Sequence, residues 1–159
     1  MLVVVYDPDG GRAHLVGGLQ ADDGAVAGRH TTKDDDTFKA RASYQPHDEG
    51  PAVTHGDIQF VVDSETLDAA QIDWLVVTAD RRIAIKGTAS VHGGPSRGFV
   101  LYGWQGAPDR ARLVLWSLDE GPVPGETLVF DNNPGADYDL DAVAPPPIAV
   151  SPGFVQAKP

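Results

Sequence analysis

Gly56-Asp-Ile-Gln-Phe-Val-Val-Asp63, Ile72-Asp-Trp-Leu-Val-Val-Thr-Ala79, Arg82-Ile-Ala-Ile-Lys-Gly-Thr-Ala-Ser-Val91, Arg97-Gly-Phe-Val-Leu-Tyr-Gly-Trp104, Arg110-Ala-Arg-Leu-Val-Leu-Trp-Ser117 and Thr127-Leu-Val-Phe-Asp-Asn132 follow one another with only short turn-forming stretches between them. Each is short, rich in β-branched and aromatic residues, and bounded by Gly, Pro, Asp or Ser. That pattern predicts β-strands joined by tight turns, and the even spacing predicts an all-β domain. Ile83 and Ile85 alternate with Arg82 and Lys86, as on a half-buried strand. Phe99, Leu101 and Gly103 alternate with Val100, Tyr102 and Trp104, so that strand is expected to be covered on both faces. Trp74-Leu-Val-Val77 has no polar face, which is the signature of a central strand with Trp74 in the core.

Upstream of this block, Thr37 to Gln45 alternates with Phe38, Ala40, Ala42 and Tyr44 on one face. Arg12 to Gln20 is a further strand, in which Gly17-Gly18 marks a bulge or a close backbone approach. Residues 2–6 form an apolar first strand before the turn Asp7-Pro-Asp-Gly-Gly11. The single helical candidate is Ser64 to Gln71, with Ser64 as N-cap. The fold expected is an antiparallel two-sheet β-sandwich or flattened barrel of about 8–10 strands in meander order. It occupies residues 1–141, and residues 142–159 form a Pro-rich tail or edge strand with Ile148-Ala-Val150 as its pairing segment.

Composition narrows the function. The chain of 159 residues has no cysteine, which rules out disulfides and thiolate chemistry. Its 23 acidic and 12 basic residues give a net charge of −11, a field that repels a phosphate backbone and argues against nucleic-acid partners. No apolar run reaches the ~20 residues of a membrane-spanning helix. Met1 to Tyr6 is too short and lacks the basic start of a signal peptide.

Catalytic motifs are missing. No G-x-S-x-G elbow occurs, and no pair of the five histidines has metal-site spacing. Oxygen-rich turns offer calcium ligands in Asp7, Asp9 and Asp131. Tyr102, Trp104 and Trp116 lie on neighbouring strands. They either fill the core or form a ligand-binding surface, as a carbohydrate-binding module or as the lined cavity of a small β-barrel enzyme or carrier.

Tyr6-Asp-Pro-Asp-Gly-Gly11, Gly17-Gly18, Gly56-Asp-Ile-Gln-Phe60, Asp73-Trp-Leu-Val-Val77, Lys86-Gly-Thr88, Gly106-Ala-Pro-Asp-Arg-Ala-Arg-Leu113 and Val129-Phe-Asp-Asn132 occur in this order. The series resembles the post-COAP type of domain, a small β-rich module of large secreted bacterial proteins, over about residues 3–140. The resemblance implies an extracellular, multidomain setting in which Met1 is not the native start. It implies no catalytic residue. The role that follows is non-catalytic: adhesion to a protein or glycan partner, spacing, or self-assembly by sheet-edge pairing through residues 1–6 or 148–150. Two departures stand out. Gly17 to Gly24 lacks the aromatic that follows the family's glycine run, and the Pro-rich tail stands where a short final strand is expected.

Overall fold

The computed structural model describes residues 11–19, 36–47, 50–120, 128–133, 150 and 153–159. The apolar segment 2–6, the turn residues Asp7 and Asp9, and Ile148-Ala149 lie outside them. The described residues form nine strands: β1 (Arg12–Gly18), β2 (Thr37–His47), β3 (Gly50–Val62), β4 (Glu65–Val77), β5 (Arg82–Val91), β6 (Ser96–Trp104), β7 (Arg110–Ser117), β8 (Leu128–Asp131) and β9 (Gly153–Lys158). One 3₁₀ turn, Leu118–Glu120, follows β7. All pairings are antiparallel, and the order is β8-β7-β6-β5-β4-β3-β2-β1-β9. The result is an all-β meander of one hydrogen-bonded sheet, curled into a half-barrel.

The curl follows from the alternation. Leu15, Phe38, Ala40, Ile58, Phe60, Ile83, Ile85, Phe99, Leu101, Leu113 and Leu115 all point inward and are buried. Phe60 on β3 meets Phe99 on β6 edge-to-face at 5.1 Å, although the two strands are not neighbours in the sheet. Only a sheet bent back on itself brings them together. Gly103 on β6 likewise leaves room for Leu15 of β1; a methyl there would stand 2.5 Å from Leu15 Cδ2.

Ser64 does not cap a helix. Asp63 and Ser64 both have positive φ (55° and 69°), and Val62 faces Glu65. This is a two-residue hairpin of the I′ kind, whose twist matches that of the strands it joins. The segment read as helical runs on as β4, with Leu67 buried between exposed Thr66 and Asp68. Eight residues with one large apolar side chain satisfy a strand's period of two as readily as a helix's. Pairing with β3 and β5 decides between them.

β3 and β4 pair only through Gln59–Val62 and Glu65–Asp68. Register shifts at Ala69/Gln71 and Ile72/Trp74 then bend β4 away. Tyr44 spans part of the opening: its hydroxyl donates to the Leu75 carbonyl at 2.5 Å and accepts from the Leu75 N–H at 3.0 Å.

A short final strand, β9, lies beyond the Ile148-Ala-Val150 segment; Val150 itself is not in a strand. Gly153 pairs with Gly17, and a methyl at Gly153 would stand 2.5 Å from Gly17 Cα. The glycines at 17–18 thus mark the close backbone approach their sequence indicated. On its outward edge β9 pairs with no strand among the described residues. Asp109 Oδ2 accepts from Val155 N–H at 2.8 Å, and Gln105 Oε1 accepts from Ala157 N–H at 3.0 Å. Asp109 Oδ1 also takes the Gly106 N–H. Replacing Asp109 by Ala strands a part-buried donor, so the Asp109→Ala protein should lose about 1–3 kcal/mol of stability in urea unfolding, and Asp109→Asn less.

Candidate functional site

Strands β1, β2, β3 and β9 meet the β4–β5 and β6–β7 loops at one end of the half-barrel. One register row there holds only small residues: Ala157, Ala13, Ala42 and Gly56. Such side chains cannot fill the mouth, and a cleft of about 690 Å³ opens over them. That size falls within the usual range of ligand sites. Among the described residues its charged lining is basic: Arg12, Arg41, Arg81 and Lys158, with His14 and His55 beside them. Four of the chain's 12 Lys and Arg residues therefore gather at one cleft of a protein whose net charge is −11.

Two nearby carboxylates are engaged elsewhere. Asp80 pairs with Arg82 at 2.8 Å and is hydrogen-bonded to Thr78 Oγ1, which, ahead of the Arg82 charge, pulls its carboxyl below the usual range. Asp109 is occupied by the Val155 and Gly106 amides. Asp57 faces Arg41 across the β2–β3 register without forming an ion pair. Instead, Arg41 Nε donates to His14 Nε2 at 3.2 Å. That bond needs a neutral imidazole protonated on Nδ1. Burial, followed by the charges of Arg41 and Lys39, lowers the His14 pKa below 6.5. The Phe154 ring packs edge-on against His14 at 4.8 Å.

Arg81 occupies a strained position. Thr78 and Arg82 close a three-residue hairpin loop through Thr78 N–H to the Arg82 carbonyl (2.9 Å) and Arg81 N–H to the Thr78 carbonyl (2.9 Å). The last loop residue, Arg81, has φ 65°, the left-handed conformation that such loops usually give to Gly or Asn. Gln105 N–H donates to the Arg81 carbonyl at 3.2 Å, which couples this turn to the β6–β7 loop.

The residues singled out in the sequence lie elsewhere. Tyr102 and Trp116 are buried on the outer face of the sheet, not in the main core, and Trp104 is half-buried with them. Trp74 joins the same outer cluster rather than the interior. Trp116 lies over Gly98, where a methyl would stand 2.6 Å from Nε1. None of the aromatic trio lines the cleft. Asp131 is 7% exposed and grips Arg112 with both oxygens, at 3.0 and 2.7 Å. Its Oδ1 also accepts from Asn133 N–H. A cation at Asp131 would have to displace this guanidinium. Next to it, Asn132 extends the β7 ladder, accepting from Leu113 N–H and donating to the Ala111 carbonyl. Asp7 and Asp9 lie outside the described residues, so the calcium set is not brought together among them. Sequence reasoning missed the cleft because its cations come from four separate segments. The one local signal was Arg12-x-His14 and Arg41-x-Ser43, polar residues on the non-core face of two paired strands.

No family profile, curated protein or solved structure matches this chain.

Two stability outcomes follow. Arg81→Gly relieves the left-handed φ and should raise stability by about 0.5–1 kcal/mol, measured by chemical denaturation. Asp131→Ala leaves Arg112 buried without a counter-charge and should cost about 3–5 kcal/mol in the same assay.

Proposed function

We propose that this chain is a non-catalytic binding module of a secreted or cell-surface bacterial protein, and that it holds an anionic ligand in the basic cleft at the mouth of its half-barrel. The observation that carries the reading is the cleft's charge: four Lys and Arg residues and, among the described lining residues, no carboxylate, on a strongly acidic chain. Clustered like charges repel one another, and a fold gains nothing by collecting them without a counter-ion. Held there by strands and hydrogen-bonded loops, they are preorganised for charge-assisted hydrogen bonds to an anion. The extracellular setting rests on the ordered motifs shared with post-COAP type domains.

Assembly by strand addition is weaker at β9, where two outward amides already have side-chain acceptors. The aromatic residues give little support to a stacking surface, because Tyr102 and Trp116 are 4% and 1% exposed. Among the described lining residues the one hydroxyl is Ser43; it faces His55 across the β2–β3 register, and no hydrogen bond joins the two.

Titrating the protein with sulfate and with citrate, followed by amide NMR, should give saturable shifts at the cleft residues. Arg41→Glu should abolish them. The pH dependence has a definite sign. In the free protein His14 is held neutral below its usual pKa, with Arg41 and Lys39 of β2 as the charges responsible. Arg12 on its own strand and Gln156 and Phe154 of β9 also face it. An anion raises the His14 pKa, so binding takes up a proton. Affinity should therefore rise as pH falls through the bound-state value and level off below the free-state value, and His14→Gln should flatten that rise. No saturable shift with either anion would remove the reading.

A further inference from the structure

We infer that the anion this cleft takes is an acidic saccharide, a sugar chain bearing carboxylate or sulfate groups. The inference rests on the anion-binding reading above and narrows it.

The lining alternates charge with uncharged hydrogen-bonding groups. Arg12 stands between Lys158 on β9 and Ser43 on β2, and Ser43 in turn faces His55 on β3. His14 stands between Gln156 and Arg41. Gln105 and Arg81 come in from the loops. Cations dispersed among Ser, Gln and His side chains match a ligand whose charges are separated by hydroxyls.

An acidic peptide fits less well. Peptides gain affinity by pairing with a free strand edge or by filling apolar pockets. Asp109 and Gln105 already take the Val155 and Ala157 amides at the nearest edge, and among the described residues the apolar lining is only Ala and Gly. A dense polyanion such as a nucleic acid meets the field of a chain at −11. One charge per sugar unit lowers that repulsion while still filling the cleft. Recognition by charge and hydroxyl contacts also explains how a glycan site works here without a stacking aromatic.

Arg81 ties the site to the strained turn. A non-glycine residue kept at φ 65° in a hairpin loop that lines the cleft is a cost that ligand contact accounts for.

The test uses the intact chain and calorimetry against polygalacturonate, chondroitin sulfate, neutral dextran and poly-glutamate. Saturable binding to polygalacturonate or chondroitin sulfate is expected, and which of the two binds identifies the acidic group. Dextran should not bind, and poly-glutamate should bind at least about tenfold more weakly. Arg81→Gly, which keeps or gains stability, should weaken saccharide binding about tenfold, the effect of one lost charge-assisted contact. Equal binding of dextran, or poly-glutamate as tight as either acidic saccharide, overturns the saccharide assignment and leaves anion binding standing. If none of the four binds while citrate and sulfate still do, the saccharide assignment alone fails. If no anion binds at all, both readings fail.

Discussion

Gln105 holds the mouth of the half-barrel in place. Its side-chain oxygen takes the Ala157 N–H of β9, and its backbone N–H meets the carbonyl of Arg81. Four residues on, Asp109 takes the Val155 N–H, while its carbonyl accepts the N–H of Val150. A sheet that curls without closing leaves an edge of unpaired amides, and such an edge invites another chain. Here the β6–β7 loop satisfies two of those amides with side chains. β9 is thereby pinned over the loop, and no further strand among the described residues pairs with that edge. The same contacts fix the distance between Lys158 at the end of β9 and Arg81 on the neighbouring turn. The clamp that completes the fold therefore also sets the spacing of the cleft's cations.

The rest of the architecture depends on two covered faces. Inside, Phe60 against Phe99 and Leu15 against Gly103 show large side chains from one arm of the curl meeting small or offset ones from the other. Outside, Val100, Val114, Tyr102 and Trp116 form a second apolar layer over β5–β7. The Arg112–Asp131 pair sits beside that layer, with the guanidinium 5.8 Å from the Tyr102 ring centroid. A buried ion pair adds little net stability over an apolar replacement, but it tolerates few alternatives. Together with Asn132, which bonds both Leu113 N–H and the Ala111 carbonyl, it fixes where short β8 joins β7.

How much of this was legible in the sequence depended on whether the signal was local. Alternation grouped the residues that share a face on β2, β5 and β6, because each strand carries its own period. Gly17-Gly18 gave the close approach of β9, since two adjacent glycines in a strand have few other uses. Ser64 to Gln71 misled, because a cap-like Ser and a single Leu do not distinguish a helix from a strand entered through a I′ turn. The aromatic residues were recognised as a group, but not the face they cover: Val100, Tyr102 and Trp104 alternate as cleanly as Phe99, Leu101 and Gly103. The cleft left almost no local trace. Its charges sit near positions 12, 41, 81 and 158, and only pairing across the whole sheet makes them neighbours.

The charge of the whole chain and the charge of the cleft act over different distances. At physiological ionic strength, fields between exposed charges fade beyond about 8 Å. A net charge of −11 therefore governs how a ligand approaches, while Arg12, Arg41, Arg81 and Lys158 govern what it meets on arrival. The acidic exterior slows every anion and discriminates most strongly against those of high charge density. On the anion-binding proposal, the cleft then favours ligands able to place separated charges against separated cations. Selectivity of this kind needs no deep apolar pocket, only a mouth kept open by small residues and walls that do not move. Ala157, Ala13, Ala42 and Gly56 keep it open, and the Gln105 and Asp109 contacts hold the walls. Ala13 and Ala42 are themselves buried in the core beside Leu15 and Ala40, and a methyl at Gly56 would stand 2.6 Å from Ile72 Cδ1, so filling this row should cost stability as well as close the cleft.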